Sequence, residues 1–163
     1  MLCWLPPGTR PTLWFLIRSG FIHALLGFGP TGAYHFLYFE YCLAGLYRRT
    51  VRPLGYRNKD EGGFVQIVAT DPAHRGVGFA AALLGWQIEQ HKRMYPGVPV
   101  FLDTAGEYQQ KVYGRVGFRE LGRHHLGVNV DKQGLRPSGS STLDQSQRVD
   151  SVQIVMMVDC GSK

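Results

Sequence analysis

The sequence predicts one α/β domain, a mixed central sheet flanked by helices, and three observations predict it. From residue 64 onward the apolar patterns run strand, helix, strand, helix, strand, strand. A chain of 163 residues with 44% apolar side chains is long enough for one core and of single-domain size. A glycine-rich stretch, 75–80, stands between a strand pattern and a helix pattern, and the remaining glycines show no repeat period.

Residues 2–5 read as a short strand stopped by Pro6-Pro7-Gly8, because two prolines end a ladder. Two helices are expected at 13–26 and 34–51, separated by 27–32. The second carries Phe36, Phe39, Leu43, Leu46 and Tyr47 at three and four spacing. After a polar surface loop, 64–70 is rich enough in β-branched and apolar residues for a core strand, and Asp71-Pro72 makes a turn. A helix is expected from Gly76 to about Arg93, with Val77, Ala81, Leu84 and Ile88 on its buried stripe and Lys92-Arg93 in its last turn. A strand at 98–104, a helix at 106–116 stopped by Gly117, and strands at 118–130 and 152–158 complete the order. Between the last two lies a polar stretch of about twenty residues without periodicity, 131–150, which reads as a mobile loop, an insertion in a surface hairpin ahead of the alternative of a substrate lid. Residues 1–60 thus form an N-terminal part, a short strand plus two helices, and 61–163 the core of the same domain.

Composition excludes several classes. The net charge of +6 is an N-terminal feature, since residues 1–60 carry seven Arg and Lys against Glu40 and Asp60. Its densest cluster, Arg48, Arg49 and Arg52, ends a helix, where cations favour the dipole. No aromatic-interleaved basic stripe accompanies it, so no nucleic-acid partner is expected. Cys3, Cys42 and Cys160 are far apart with no C-x-x-C pair, which argues against a disulfide framework or a zinc site. The longest clean apolar run near the start is five residues, 13–17, too short to span a bilayer or form a signal core. The expected setting is reducing and cytoplasmic, without membrane or metal.

The loop Arg75-Gly76-Val77-Gly78-Phe79-Ala80 is the stretch that carries chemistry. At a helix start after a strand, unpaired backbone N–H groups and the positive helix end both face a bound anion. Gly76 and Gly78 let the backbone approach closely, and Arg75 adds charge. A nucleotide P-loop fails for want of Gly-Lys-Ser or Gly-Lys-Thr. A dinucleotide fingerprint fits Gly76, Gly78 and Ala81, with Asp103 at the end of the next strand. Yet 71–75 intervene after the strand where the fingerprint should begin at once, and too little chain follows for a doubly wound sheet.

Residues 68–84 resemble the main coenzyme A motif of GNAT acetyltransferases, [Q/R]-x-x-G-x-[G/A], met by Arg75, Gly78 and Ala80. At the matching distance, Phe101-Leu102-Asp103-Thr104 and then Val112-Tyr113-Gly114-Arg115-Val116-Gly117-Phe118 resemble the second motif of that family. The puromycin acetyltransferase-like branch is the nearest in flavour. The resemblance implies the GNAT acyl-CoA N-acyltransferase fold and an N-acetyltransferase that moves an acetyl group from acetyl-CoA to a small-molecule amine within a ternary complex. It implies that the backbone of Val68 and Thr70 meets the pantetheine arm and thioester carbonyl. The N–H groups from Gly76 through Val77, Gly78 and Phe79 to Ala80 would hold the pyrophosphate, with Arg75 beside them. Tyr113 matches the tyrosine that protonates the leaving thiolate; with Val112, Val116 and Tyr108 on a buried stripe, it sits one residue around, on the cofactor's flank. Two departures stand out. Gly106 takes the place of a frequent Asn, and the opening strand and helices of the family have no counterpart before residue 2. The chain therefore reads as N-terminally truncated, and the alternative is a non-catalytic acyl-CoA binder or inactive fragment. Phe36, Tyr38 and Phe39 are expected near the acceptor. No base is named among His35, His91, His124, His125, Glu40, Glu61 and Asp103, the lone histidines being read as solvated.

Overall fold

The computed structural model describes residues 1–9, 17–18, 20–130 and 149–161. Its strands are β1 (Leu2–Leu5), β2 (Gly63–Val68), β3 (Val100–Thr104), β4 (Arg119–Val130) and β5 (Val149–Val158). Its helices are α1 (Phe21–Gly27), α2 (Gly29–Val51), α3 (Phe79–Met94) and α4 (Glu107–Arg115). The five strands form one sheet in the order β1-β2-β3-β5-β4. Strands β2 and β3 are parallel, joined by α3 as the crossover, and the other neighbours are antiparallel, so the sheet is mixed as expected.

Both faces of the sheet are covered, which is why β3 and β5 read as nearly unbroken apolar runs. Side chains alternate between the faces. Leu102, Ile154 and Met156 meet Leu84 and Ile88 of α3, with Tyr113 of α4 and Val116 just beyond it. Phe64, Phe101, Val155 and Met157 meet Leu43, Leu46, Tyr47 and Val51 of α2.

Several boundaries differ from expectation. Helix α2 begins at Gly29, not 34: Pro30 sits in its first turn, where a missing N–H costs nothing, and only Phe28 separates it from α1. The first part of the helix expected at 13–26 lies outside the described residues, as does the loop expected at 131–150 up to residue 148; at 149 β5 has begun. Helix α3 begins at Phe79, because Gly76 and Gly78 have φ of 82° and 90° and cannot be helical. Val77 is accordingly exposed, and the buried stripe is Leu84, Ile88 and His91. His91, expected to be solvated, is fully buried.

One irregularity shapes the centre of the sheet. Cys3 lies opposite Ile67 and Trp4 opposite Val65, so Gln66 is an extra residue in β2, a β-bulge. The bulge shifts the side-chain phase, and Val65 and Val68, three positions apart, both pack toward α3 and α4. Pairing of β2 with β3 ends at Val65 and Leu102, while β3 continues beside β5 to Thr104. The bent strand leaves its parallel neighbour, and a wedge opens at their carboxyl ends.

Candidate active site

A cleft of about 500 Å³ lies at that wedge. Its walls are Val68, Ala69 and Thr70 at the exit of β2, the loop with the start of α3, and one face of α4. Carboxyl ends of parallel strands are where open α/β sheets bind ligands, since helix N-termini converge there. Val68, Thr70, Arg75, Gly76, Gly78, Phe79, Ala80 and Tyr113 all line this one cleft. Val77 does not; its side chain points away and is 70% exposed.

The loop is held by its own hydrogen bonds. Asp71 Oδ1 accepts from the Ala73 N–H at 2.8 Å and starts a 3-10 turn, Pro72–His74. Arg75 Nε donates to the Thr70 carbonyl at 3.3 Å, tying the loop back to the strand exit. Gly76 and Gly78 are left-handed, and the first helical bond of α3 runs from the Ala82 N–H to the Gly78 carbonyl at 3.0 Å. The N–H groups just inside that start have no intrahelical acceptor. Arg75, Arg115 and His74 stand around the cleft, and among the described residues no carboxylate lines it. Left-handed glycines, free N–H groups and cations without a carboxylate suit a phosphate-bearing ligand, so the residues present fit the pyrophosphate of a coenzyme.

Tyr108, Val112 and Arg115 lie at helical spacing on the cleft wall. Tyr108 is 75% exposed, so Tyr108 and Val112 of the stripe read as buried face the cleft, while Val116 packs on the core as expected and Tyr113 packs there too. Tyr113 is half-buried, its ring edge-on to Phe118 at 6.2 Å. Burial, and then the charge of Asp103, raise its pKa above the ordinary tyrosine value, so the phenol stays protonated through neutral pH.

Behind this wall, on the α2 side, sits a polar cluster. Asp103 of β3 accepts from Tyr47 Oη at 3.0 Å and from Gln153 Nε2 at 3.3 Å. Burial raises the Asp103 pKa, opposed by Lys59 and by the Tyr47 hydrogen bond. Tyr47 itself is pushed well up by burial and by the Asp103 charge. The sequence named Asp103 without an anchor and read Tyr47 as core. A signal for Gln153 was present, since it is the polar residue within the apolar run 152–158. Phe36 packs against Phe21, Phe39 against the core below α2, and neither they nor Tyr38 line the cleft. Among the described residues no group of three or more His, Cys, Asp or Glu is placed to hold a metal, and no helix is long and apolar enough to cross a membrane.

No protein-family model and no curated protein matches the chain. Solved structures do. The mosquito arylalkylamine N-acetyltransferase like 5b superposes on 96% of this chain and 65% of its own, at 19% identity and a TM-score of 0.53. The chain has the GNAT acetyltransferase fold. The mosquito match carries this assignment, because it runs over the helical pair as well as the sheet. The ribosomal-protein-S18-alanine N-acetyltransferase from Escherichia coli matches 63% of the chain and 56% of its own at 17% identity, with a TM-score of 0.43. A putative acetyltransferase from Agrobacterium tumefaciens matches 59% and 55% at 21%, with a TM-score of 0.40. The chain thus spans between 55% and 65% of the length of these three GNAT-fold structures.

Proposed function

We propose that the chain is an N-acetyltransferase that transfers the acetyl group of acetyl-CoA to a small-molecule amine. The observation that carries this is the shared cleft: the anion cradle and Tyr113 open onto the same wedge between β2 and β3. The N–H groups from Gly76 to Ala80, with Arg75, hold the pyrophosphate. The backbone of Val68 and Thr70, past the last β2–β3 pair, receives the pantetheine arm and thioester carbonyl. The amine attacks directly in a ternary complex, so the protein's work is to position both reactants and stabilise the oxyanion. A nitrogen–carbon bond forms and the carbon–sulfur bond breaks. The departing sulfur takes the Tyr113 proton, and the phenolate recovers one from the adduct nitrogen. The strand end Leu102-Asp103-Thr104 supports the puromycin acetyltransferase-like branch, and the name of the mosquito protein agrees with a small-molecule acceptor. The setting is cytoplasmic, without nucleic acid, membrane or metal.

Thiol release from acetyl-CoA with a panel of primary amines tests the reading. Tyr113→Phe should lower kcat about 100-fold, within the range general acids supply, while the Kd for acetyl-CoA changes less than about threefold. Unchanged kcat removes the proton-donor role. Binding of acetyl-CoA with no turnover of any amine would make the chain a non-catalytic acyl-CoA binder.

A further inference from the structure

The cluster behind the cleft has a property that core packing does not require. Gln153 is only 6% exposed, its Nε2 is spent on Asp103, and its Oε1 has no hydrogen-bond partner. The amide orientation is set by the carboxylate, which can only accept. Among the described residues, a carboxylate that accepts only one hydrogen bond at each oxygen, from Tyr47 and Gln153, and an amide oxygen without any donor therefore stand side by side at the end of β3 that has parted from β2. Aromatic faces lie next to them. Lys59 Nζ sits 4.2 Å from the Phe64 ring centroid and 5.1 Å from that of Tyr47, so this wall already holds an ammonium close to Asp103.

We propose that Asp103 and Gln153 are the ammonium seat of the acceptor site, taking an unbranched primary amine whose stem lies on Tyr47 and Phe64, with the Lys59 side chain as its internal stand-in. Its role as the acceptor end rests on the transferase reading, in which the seated ammonium first passes one proton to the Asp103 carboxylate so that the neutral nitrogen can attack; the seat itself does not rest on it. An ammonium offers three donors and no acceptor, which matches Asp103 and Gln153 Oε1, and a slender stem suits two aromatic faces better than a branched one.

The probe is butylammonium, titrated into the full chain with coenzyme A present and read at the side-chain amide resonances of Gln153. Saturable shifts are expected in the wild type. Asp103→Asn should weaken the apparent affinity at least tenfold; the fold is kept because Asn still accepts from Tyr47 while Gln153 turns its amide. Lys59→Met should tighten it about threefold by removing the competitor. No shift at Gln153, equal affinity in Asp103→Asn, or unchanged affinity in Lys59→Met overturns the seat. If Asp103→Asn does not fold, Gln153→Leu, read at the Tyr47 ring, must show the weakening instead. Thiol release with butylamine separates the two proposals. Shifts at Gln153 with no turnover of butylamine or of any amine in the panel sink the transferase reading alone, whereas turnover of butylamine with the same amine KM in Asp103→Asn sinks the seat alone.

Discussion

Gly78→Ala tests the anion cradle most directly. Gly78 has φ of 90° and ψ of 6°, and a Cβ built there meets nothing within 4 Å, so the only obstacle to alanine is the left-handed backbone itself. That conformation costs a non-glycine residue roughly 1–2 kcal/mol. Alanine relieves that strain only in part, so stability falls and the N–H groups at the start of α3 also swing off the pyrophosphate. Losing one hydrogen bond to a charged group is worth about 1.5–3 kcal/mol, which at about 1.4 kcal/mol per decade raises the Kd for acetyl-CoA roughly 10- to 100-fold. Gly97→Ala is the control, since Gly97 has φ of 78°, equally open space, and lies outside the cleft. Calorimetric titration of both variants, with urea unfolding, should show similar losses of stability but weaker acetyl-CoA binding in Gly78→Ala alone. Equal Kd values in the two variants would refute the cradle.

Two further outcomes concern the scaffold. His91 Nε2 donates to the Val98 carbonyl at 3.0 Å with its ring against Trp4 and Tyr95, and burial lowers its pKa below the ordinary histidine value. As pH falls the unfolded chain binds the proton first. The contribution is therefore complete above about pH 6.5 and lost below it, by up to about 1.4 kcal/mol per pH unit until the lowered pKa is reached. Urea midpoints at pH 7.5 and 5.5 should show this loss, and His91→Leu should reduce it. Gly62→Ala places a Cβ 2.6 and 2.7 Å from ring carbons of Phe101 and 2.7 Å from the Pro99 carbonyl oxygen. Overpacking of this kind costs about 1–3 kcal/mol, to be seen as a lower Tm with acetyl-CoA binding retained once folded.

The order of elements was legible because each strand and helix carries its own period, and the turn at Gly76 and Gly78 was legible because left-handed backbone favours glycine. Boundaries at Gly29 and Phe79 were less legible, since proline in a first turn and glycine before one look like breaks from the sequence side. The spacing of Tyr108, Val112 and Val116 was visible, but periodicity does not say what a helix face meets: Tyr108 and Val112 line the cleft, and Val116 packs on the core.

By itself the sequence determined the α/β class, the strand and helix order around residues 64–118 and the glycine turn that precedes a helix at 75–80, all of which follow from local patterns and backbone chemistry. Only the tertiary structure decided the rest. The bulge at Gln66 ends the β2–β3 ladder and opens the wedge, and the covering of both sheet faces buries His91. It also brings Tyr47, Asp103 and Gln153 together from α2, β3 and β5. Those contacts join residues 50 and 56 positions apart, and no local period encodes such a meeting.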